Sequence, residues 1–114
     1  MTEIWISLAG NTHILSAEGH AEQYPQVCAG VSALLYALSG FLQNAGKRVK
    51  ALDELTLKPG SACLRCRGDR SVTAAYEMTA LGLLQIAKVY PRGLCVHYLR
   101  EDRYYQGETP ENLA

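Results

Sequence analysis

The chain has 114 residues, of which 48% are hydrophobic, and this is enough for one compact domain whose core needs no disulfide or metal. Eleven basic and eleven acidic side chains cancel, so no global positive field attracts a phosphate backbone, and the cluster of Arg65, Arg67 and Arg70 is too small to create one. These features exclude nucleic acid as the expected main partner.

The sequence carries no signal for membrane insertion or secretion. No stretch reaches the ~20 continuous apolar residues of a membrane span, and the start from Met1 to Trp5 lacks the pattern of a secretory signal. We therefore expect a cytoplasmic protein with no membrane partner. In that reducing compartment its cysteines are expected to be thiols rather than disulfides. They are Cys28, Cys63, Cys66 and Cys95.

The first half of the chain predicts a hairpin followed by a helix. Ile4 to Leu8 alternates apolar and polar residues, Gly10-Asn11 supplies a turn, and His13 to Ala17 resumes an extended run. From Val27 onward, apolar residues recur at helical spacing until Gly46, which we expect to cap the helix.

The second half predicts a further hairpin and a further helix. Val49 to Leu57 and Ala62 to Arg67 are expected to be strands, joined by the turn Lys58-Pro59-Gly60. Ser71 is expected to cap a second amphipathic helix, which ends at Pro91.

A last strand, Leu94 to Leu99, is expected to complete a single domain of residues 1–100, and the polar tail Glu101 to Ala114 is expected to fray. The order β-β-α-β-β-α-β predicts an α/β architecture of the two-layer α+β kind, with a mixed sheet and two helices. Small residues on the first helix permit close approach by another helix or a second subunit, although helix propensity and a tight fit to the sheet explain them equally well. They are Ala29, Gly30, Ala33, Ala37, Ser39 and Gly40.

The most informative pattern is Gly19-His20 followed by Cys28 at the start of the first helix. Backbone N–H groups and the helix dipole favour negative charge there, so we expect a thiol that ionises readily and acts as a nucleophile. His20 is the expected base, and the N–H groups of Cys28 and Ala29 are expected to form the oxyanion hole. Gly19 would let a substrate backbone pass closely, and Ser32 lies one turn further along the helix. From spacing alone, a structural cysteine and a loop histidine are the competing interpretation.

These residues resemble the ribosomal-processing cysteine proteases called Prp, including prophage-encoded relatives. The resemblance rests on Gly19-His20-Ala21, on Cys28 to Leu34, and more weakly on Tyr90-Pro91. It implies a small α/β homodimer and a Cys-His endopeptidase without metal or other cofactor. The implied reaction removes a short N-terminal extension from a large-subunit ribosomal protein at a Leu-x-x-Phe-Phe type sequence. By position, Cys28 is the implied nucleophile and His20 the general base.

Two departures from the family pattern affect the expected site. The family usually has Asp three residues before the cysteine, whereas this chain has Pro25, so Glu22 or Gln26 is the candidate to orient His20. The loop between histidine and cysteine is also shorter than the usual flap, which leaves open a phage or host substrate other than the ribosomal protein.

Cys63 and Cys66 suggest a second kind of site, because with Cys95 and His97 they offer four ligands for zinc or a redox pair. Residues three apart on a strand point to opposite faces, so we expect Cys63 and Cys66 to be structural and expect no metal. His13 and His97 are expected to be structural, Trp5 to pack within the sheet, and Tyr104 and Tyr105 to lie in the tail.

The sequence therefore predicts a cytoplasmic cysteine endopeptidase that acts on a protein segment with apolar and aromatic side chains, with a homodimer implied by the family. Two alternatives stay open. The first is a catalytically silent, Prp-like interaction or assembly protein, which Pro25 in place of the acid would explain. The second is a zinc or thiol-redox protein that uses Cys63 and Cys66.

Overall fold

The computed structural model describes residues 1–101 and the backbone of residues 103–106. Within this part of the chain, six strands and two long helices follow one another in the order β-β-α-β-β-α-β-β. They are β1 (Thr2–Ala9), β2 (Thr12–Glu18), α1 (Pro25–Asn44), β3 (Val49–Lys58), β4 (Ser61–Gly68), α2 (Arg70–Val89), β5 (Leu94–Arg100) and β6 (Arg103–Gln106), and a 3-10 turn, Gly46–Arg48, follows α1.

The strands form one mixed sheet in the order β3-β4-β2-β1-β5-β6. The β1–β5 pair is parallel, and the other neighbouring strands are antiparallel. The predicted architecture, a mixed sheet with two helices, is confirmed. The prediction contained five strands and lacked β6.

The two faces of the sheet have different surroundings. Ile4, Ile6 and Leu15 are buried on the face that packs against both helices. The opposite face is open in this chain, and Trp5 and Leu99 on it are 41% and 48% exposed. Trp5 packs on the sheet as predicted, since its ring stacks on that of His97 on β5, but it stays partly exposed because its position on β1 points away from the helix layer.

The two helices approach each other through reciprocal glycines. A Cβ on Gly30 of α1 would lie 3.0 Å from Ile86 Cδ1, and one on Gly82 of α2 would lie 2.9 Å from Leu34 Cδ1. Each glycine therefore receives an aliphatic side chain from the other helix. The small residue Gly30 serves a helix contact within the chain, while Ala29, Ala33 and Ala37 are exposed.

Two predicted boundaries need correction. Asp69, not Ser71, caps α2, because its carboxylate accepts hydrogen bonds from the N–H groups of Ser71 and Val72 at 2.9 and 3.4 Å. The tail expected to fray contains β6, whose backbone pairs with the edge of β5 and places Gln106 opposite His97. The other tail residues, 102 and 107–114, lie outside the described residues.

The end of α1 agrees with the sequence pattern. Gly46 follows the last helical turn with a φ of +61°, a conformation that glycine adopts without a steric cost. By length and composition alone, α1 would qualify as a membrane span, with a hydropathy of 1.4. This is weak support for such a role, because core helices pass the same test and α1 buries Val27, Val31, Leu35 and Leu38.

Candidate active site

Strand pairing brings the end of β2 beside the β3–β4 turn. Glu18 on β2 lies opposite Ser61 on β4, so Gly19, directly after Glu18, lies next to Gly60, directly before Ser61. The Gly19 N–H donates a hydrogen bond to the Gly60 carbonyl at 2.9 Å. The predicted turn Lys58-Pro59-Gly60 therefore lies next to His20.

Gly60 makes room for the imidazole of His20. Its φ is +78°, and a Cβ at this position would collide with the His20 ring, lying only 3.0 Å from Cε1. Only a residue without a side chain fits both the backbone conformation and the neighbouring ring. The position of His20 consequently depends on the β3–β4 turn as well as on its own loop.

The segment between β2 and α1 is fixed at several points. Ala21 is buried, and its carbonyl accepts a hydrogen bond from the Tyr24 N–H at 2.9 Å. The Tyr24 ring lies 5.8 Å from the Tyr90 ring, between centroids. The Met1 amino group donates to the His20 carbonyl at 2.9 Å. These contacts hold the histidine backbone on both sides.

Cys28 lies on the first turn of α1 and is half-buried. Its thiol donates to the carbonyl of Ala21, the residue directly after His20, with 3.7 Å between Sγ and O. The helix begins at Pro25, two residues before the predicted start of helical spacing at Val27, so the Cys28 N–H already donates to the Tyr24 carbonyl, at a long 3.4 Å. That N–H is therefore not a fully available oxyanion donor in this state.

The start of α1 lacks the usual compensation for its dipole. Tyr24 stands at the N-cap position without a side-chain hydrogen bond to the helix, and the first turn has no acidic residue. The positive end of the helix dipole therefore has no carboxylate beside it on this turn. This is the end that carries the Cys28 thiol.

His20 and Cys28 line the same cavity, which has a volume of about 320 Å³. Val31, Leu35 and Leu57 contribute apolar surface to it. This volume lies at the small end of the range for ligand pockets, which is roughly 300–1,000 Å³. The polar residues on its wall include Thr2, Ser32, Tyr36, Lys58 and Ser61.

The supporting residues predicted from the sequence have different positions. Gly19 and Ser32 line the cavity, whereas Ala29 is exposed and does not. Glu22 lines a neighbouring polar cavity together with His20, and Gln26 is exposed outside both. Among residues 1–101, no hydrogen bond joins the His20 imidazole to Glu22 or Gln26, so neither of these candidates orients the ring in this state.

The predicted cysteine pair on β4 is separated by the sheet. Cys66 is buried in the core beside the Tyr76 hydroxyl at 3.5 Å, whereas Cys63 is half-buried on the opposite face. Burial raises the pKa of both thiols, and Glu54 raises that of Cys63 further. The strand geometry that argued against a joint metal or redox site at these two cysteines is observed.

The remaining histidines lie away from the cavity. His13 is buried at the other end of β2, with Nε2 2.7 Å from Thr73 Oγ1 and its ring stacked on Tyr76. Burial lowers the pKa of this imidazole. His97 lies on the open face of the sheet, where Nε2 is 2.9 Å from Glu3 Oε2. Both are hydrogen-bonded.

Sequence reasoning did not place the β3–β4 turn or Thr2 at the site. Lys58, Pro59 and Gly60 gave a clear turn signal, but only the pairing of β2 with β4 shows which loop they face. Likewise, Thr2 joins the cavity wall because β1 is central in the sheet.

No family model matches the sequence, and no curated protein matches it significantly. Solved structures do match its fold. SMU.848 from Streptococcus mutans is 18% identical, with a TM-score of 0.68, over 89% of this chain and 96% of that one.

The essential ribosomal processing protease Prp from S. aureus also matches, in two structures. The one with a covalently linked product peptide is 18% identical, with a TM-score of 0.70, over 87% of this chain and 100% of that one. The one with a substrate peptide is 17% identical, with a TM-score of 0.65 and the same coverage. At these identities the comparison shows a shared fold, and the predicted resemblance to Prp is confirmed at that level.

Proposed function

We propose that this chain is a cysteine endopeptidase of the Prp type, with Cys28 as nucleophile and His20 as general base. The observation that carries the proposal is that both side chains line one cavity at the uncapped end of α1. The fold shared with a peptide-bound protease supports it. A thiol, an imidazole and a helix N-terminus are the parts that acyl transfer by cysteine requires.

In the proposed reaction, the Cys28 thiol loses its proton to the His20 imidazole and the sulfur attacks the scissile carbonyl carbon. The oxyanion of the tetrahedral intermediate lies toward the start of α1, where the helix dipole favours negative charge. The imidazolium then gives its proton to the leaving amine as the C–N bond breaks. Water, activated by His20, hydrolyses the resulting thioester and releases the acid product.

The oxyanion donor proposed for this step is the N–H of Cys28, because Ala29, the fifth residue of α1, has its N–H within the regular hydrogen bonding of the helix. The Cys28 N–H is held by the Tyr24 carbonyl only at 3.4 Å, which is a weak hydrogen bond. A small rotation of the first turn, with a substrate in place, would transfer this donor from the Tyr24 carbonyl to the oxyanion. Gly19 also lies on the cavity wall, but a Cβ at this position would collide with the Met1 carbonyl, so the glycine makes room for the chain's own first residue and not for the substrate backbone that the sequence predicted.

The proposed substrate is a protein segment with an apolar or aromatic side chain for the cavity. Val31, Leu35 and Leu57 provide an apolar wall that a phenylalanine or leucine side chain would cover. By analogy with Prp, the natural substrate is the N-terminal extension of a large-subunit ribosomal protein or a related phage or host protein in the cytoplasm. A homodimer is proposed on the same analogy.

The test is cleavage of a peptide library that contains Phe-Phe and Leu-x-x-Phe-Phe segments, read by mass spectrometry. Wild type is expected to cut, and Cys28→Ala and His20→Ala are each expected to lose about 10³-fold or more in kcat/KM. Cys63→Ala, at a half-buried cysteine outside the cavity, is the matched control and should cut like wild type. Cleavage that persists in Cys28→Ala would refute the assignment of the nucleophile.

A silent interaction protein is the second candidate, and the lack of an orienting hydrogen bond on His20 within the described residues favours it. Such a protein would bind the same peptides without cutting them. Fluorescence anisotropy with labelled library peptides, run beside the cleavage assay, separates the two. Binding by wild type with no product in the mass spectra would support the silent protein and contradict the endopeptidase.

A further inference from the structure

The open face of the sheet brings three potential metal ligands together, away from the proposed active site. Cys95 and His97 are two residues apart on β5 and therefore point to the same side. Glu3 on the neighbouring strand β1 lies directly opposite Cys95 in the parallel ladder. Their ligand atoms all lie within 4.8 Å of one another.

Two of the three distances between these ligand atoms are close to those of a tetrahedral zinc site. His97 Nε2 lies 3.5 Å from Cys95 Sγ and 2.9 Å from Glu3 Oε2. Bond lengths of about 2.3 Å for Zn–S and about 2.0–2.1 Å for Zn–N and Zn–O place S and N about 3.5 Å apart and N and O about 3.3 Å apart. The first distance already fits, and the second requires the carboxylate to move by about 0.4 Å.

The surroundings hold the imidazole in the orientation that ligation needs. The Trp5 ring stacks on His97 with 5.6 Å between centroids and 13° between planes. Cys95 and His97 are half-buried, and the carboxylate of Glu3 is more exposed and can adjust. Nε2 points toward both other ligands, so one ion can replace the hydrogen bonds that now join them.

We propose that Glu3, Cys95 and His97 bind one Zn²⁺ ion, with a fourth position open to water. A thiolate, an imidazole and a carboxylate are the donors that zinc prefers, whereas magnesium and calcium prefer sites built from oxygen alone. On binding, the Cys95 thiol gives its proton to solvent and the His97 Nε2 is unprotonated. The ion would join β1 to β5. This inference does not depend on the proposed peptidase activity.

The test is a Co²⁺ titration of reduced protein in a Cys28→Ala background, so that no ion binds at the proposed catalytic thiol. Cobalt reports its ligands by absorption, and thiolate ligation gives an intense charge-transfer band. We expect that band to appear at one equivalent and to disappear when Zn²⁺ displaces the cobalt. Cys95→Ser should remove the band, and Cys95→Ser and His97→Gln should each weaken binding at least tenfold.

Cys63→Ser is the matched control, because Cys63 is also half-buried on this face but lies on β4, with β2 and β1 between it and β5. The Cys63→Ser protein should keep both the charge-transfer band and the Co²⁺ affinity of the protein with Cys63 intact. Zn²⁺ should raise the Tm of the Cys63→Ser protein and leave that of Cys95→Ser unchanged. Circular dichroism verifies that each variant is folded. If Cys95→Ser does not fold, His97→Gln takes its place as the variant with a disrupted metal site. A missing band, or a band that survives in Cys95→Ser, would overturn the site.

Discussion

The N-terminus of α2 is capped by a side chain and that of α1 is not, although a histidine lies near each. His13, on β2, is near the start of α2, and His20, in the loop after β2, is near the start of α1. At α2, the Asp69 carboxylate caps the helix, and His13 is sealed in the core against Thr73. At α1, no side chain caps the helix, and His20 is exposed beside a cavity that Cys28 also lines.

The difference separates a stabilising helix end from an end that is available to a ligand. A carboxylate at the N-cap satisfies backbone donors and offsets the helix dipole, which leaves nothing to attract an anion. An uncapped end loses that stabilisation but keeps its favourable potential for a thiolate or an oxyanion. Substitutions and thiol labelling at the two helix ends test this distinction.

Gly60→Ala should reduce the proposed peptidase activity by displacing the His20 imidazole. The new Cβ collides with the imidazole, and displacement of a catalytic group by about 1 Å can cost about 10²-fold in rate, so we expect kcat/KM for peptide cleavage to fall by that order. Gly46→Ala is the control, because Gly46 also has a positive φ but no atom within 4 Å of the added Cβ. Equal activities of the two variants would contradict the placement of His20.

The cysteines should differ in reactivity. Burial raises the pKa of Cys63 and Cys66, which lowers their thiolate fractions at pH 7.5, and Cys66 is also inaccessible. We expect iodoacetamide to label Cys28 at least tenfold faster than either of them, as measured by peptide mapping over time. If Cys63 reacts as fast as Cys28, the α1 end confers no special reactivity.

Thr73→Val should destabilise the α2 end. It leaves the buried His13 Nε2 without the hydroxyl 2.7 Å away, which costs about 1–3 kcal/mol in the free energy of unfolding. Thr79→Val on the same helix is the control, because within residues 1–101 its hydroxyl bonds only to the Ala75 carbonyl one turn back. Urea unfolding measures both. Similar small losses in the free energy of unfolding for both variants would show that the hydrogen bond between Thr73 and His13 contributes little to stability.

Asp69→Asn should have the smallest effect at neutral pH, since asparagine is an equally good cap. Hydrogen bonds from the Ser71 hydroxyl and from the backbone N–H groups of Ser71 and Val72 lower the pKa of Asp69 below its ordinary 3.8. Its stabilisation is therefore present above that pH and is lost as pH falls through the lowered value. The Tm of wild type should fall more steeply below pH 4 than that of Asp69→Asn.

Local patterns were sufficient for the elements near both helix ends. Alternation located β1 and β2, helical spacing located α1 and α2, and the Gly19-His20 and Cys28 pattern named two residues that line one cavity. These features depend on neighbours within a few positions, which a single sequence displays.

Features that depend on strand order were not available from the sequence. The contact of Gly60 with His20 requires β2 to pair with β4, and the meeting of Glu3 with Cys95 and His97 requires β1 to pair with β5. Asp69 was missed as a cap because Ser71 is an equally good capping residue two positions later. Strand β6 was missed because its polar composition gives no apolar alternation.

The parallel ladder between β1 and β5 has a consequence for the order of assembly. Thr2 lies opposite Leu94, so this pairing closes a loop of about 90 residues, and such distant contacts form slowly because their entropic cost comes first. Thr2 belongs to the cavity wall, and its N–H donates to the Gly93 carbonyl at 3.0 Å. Thr2 therefore takes its final place on the cavity wall only after β5 has been made and has paired with β1, long after the segment that carries Cys28 has been made.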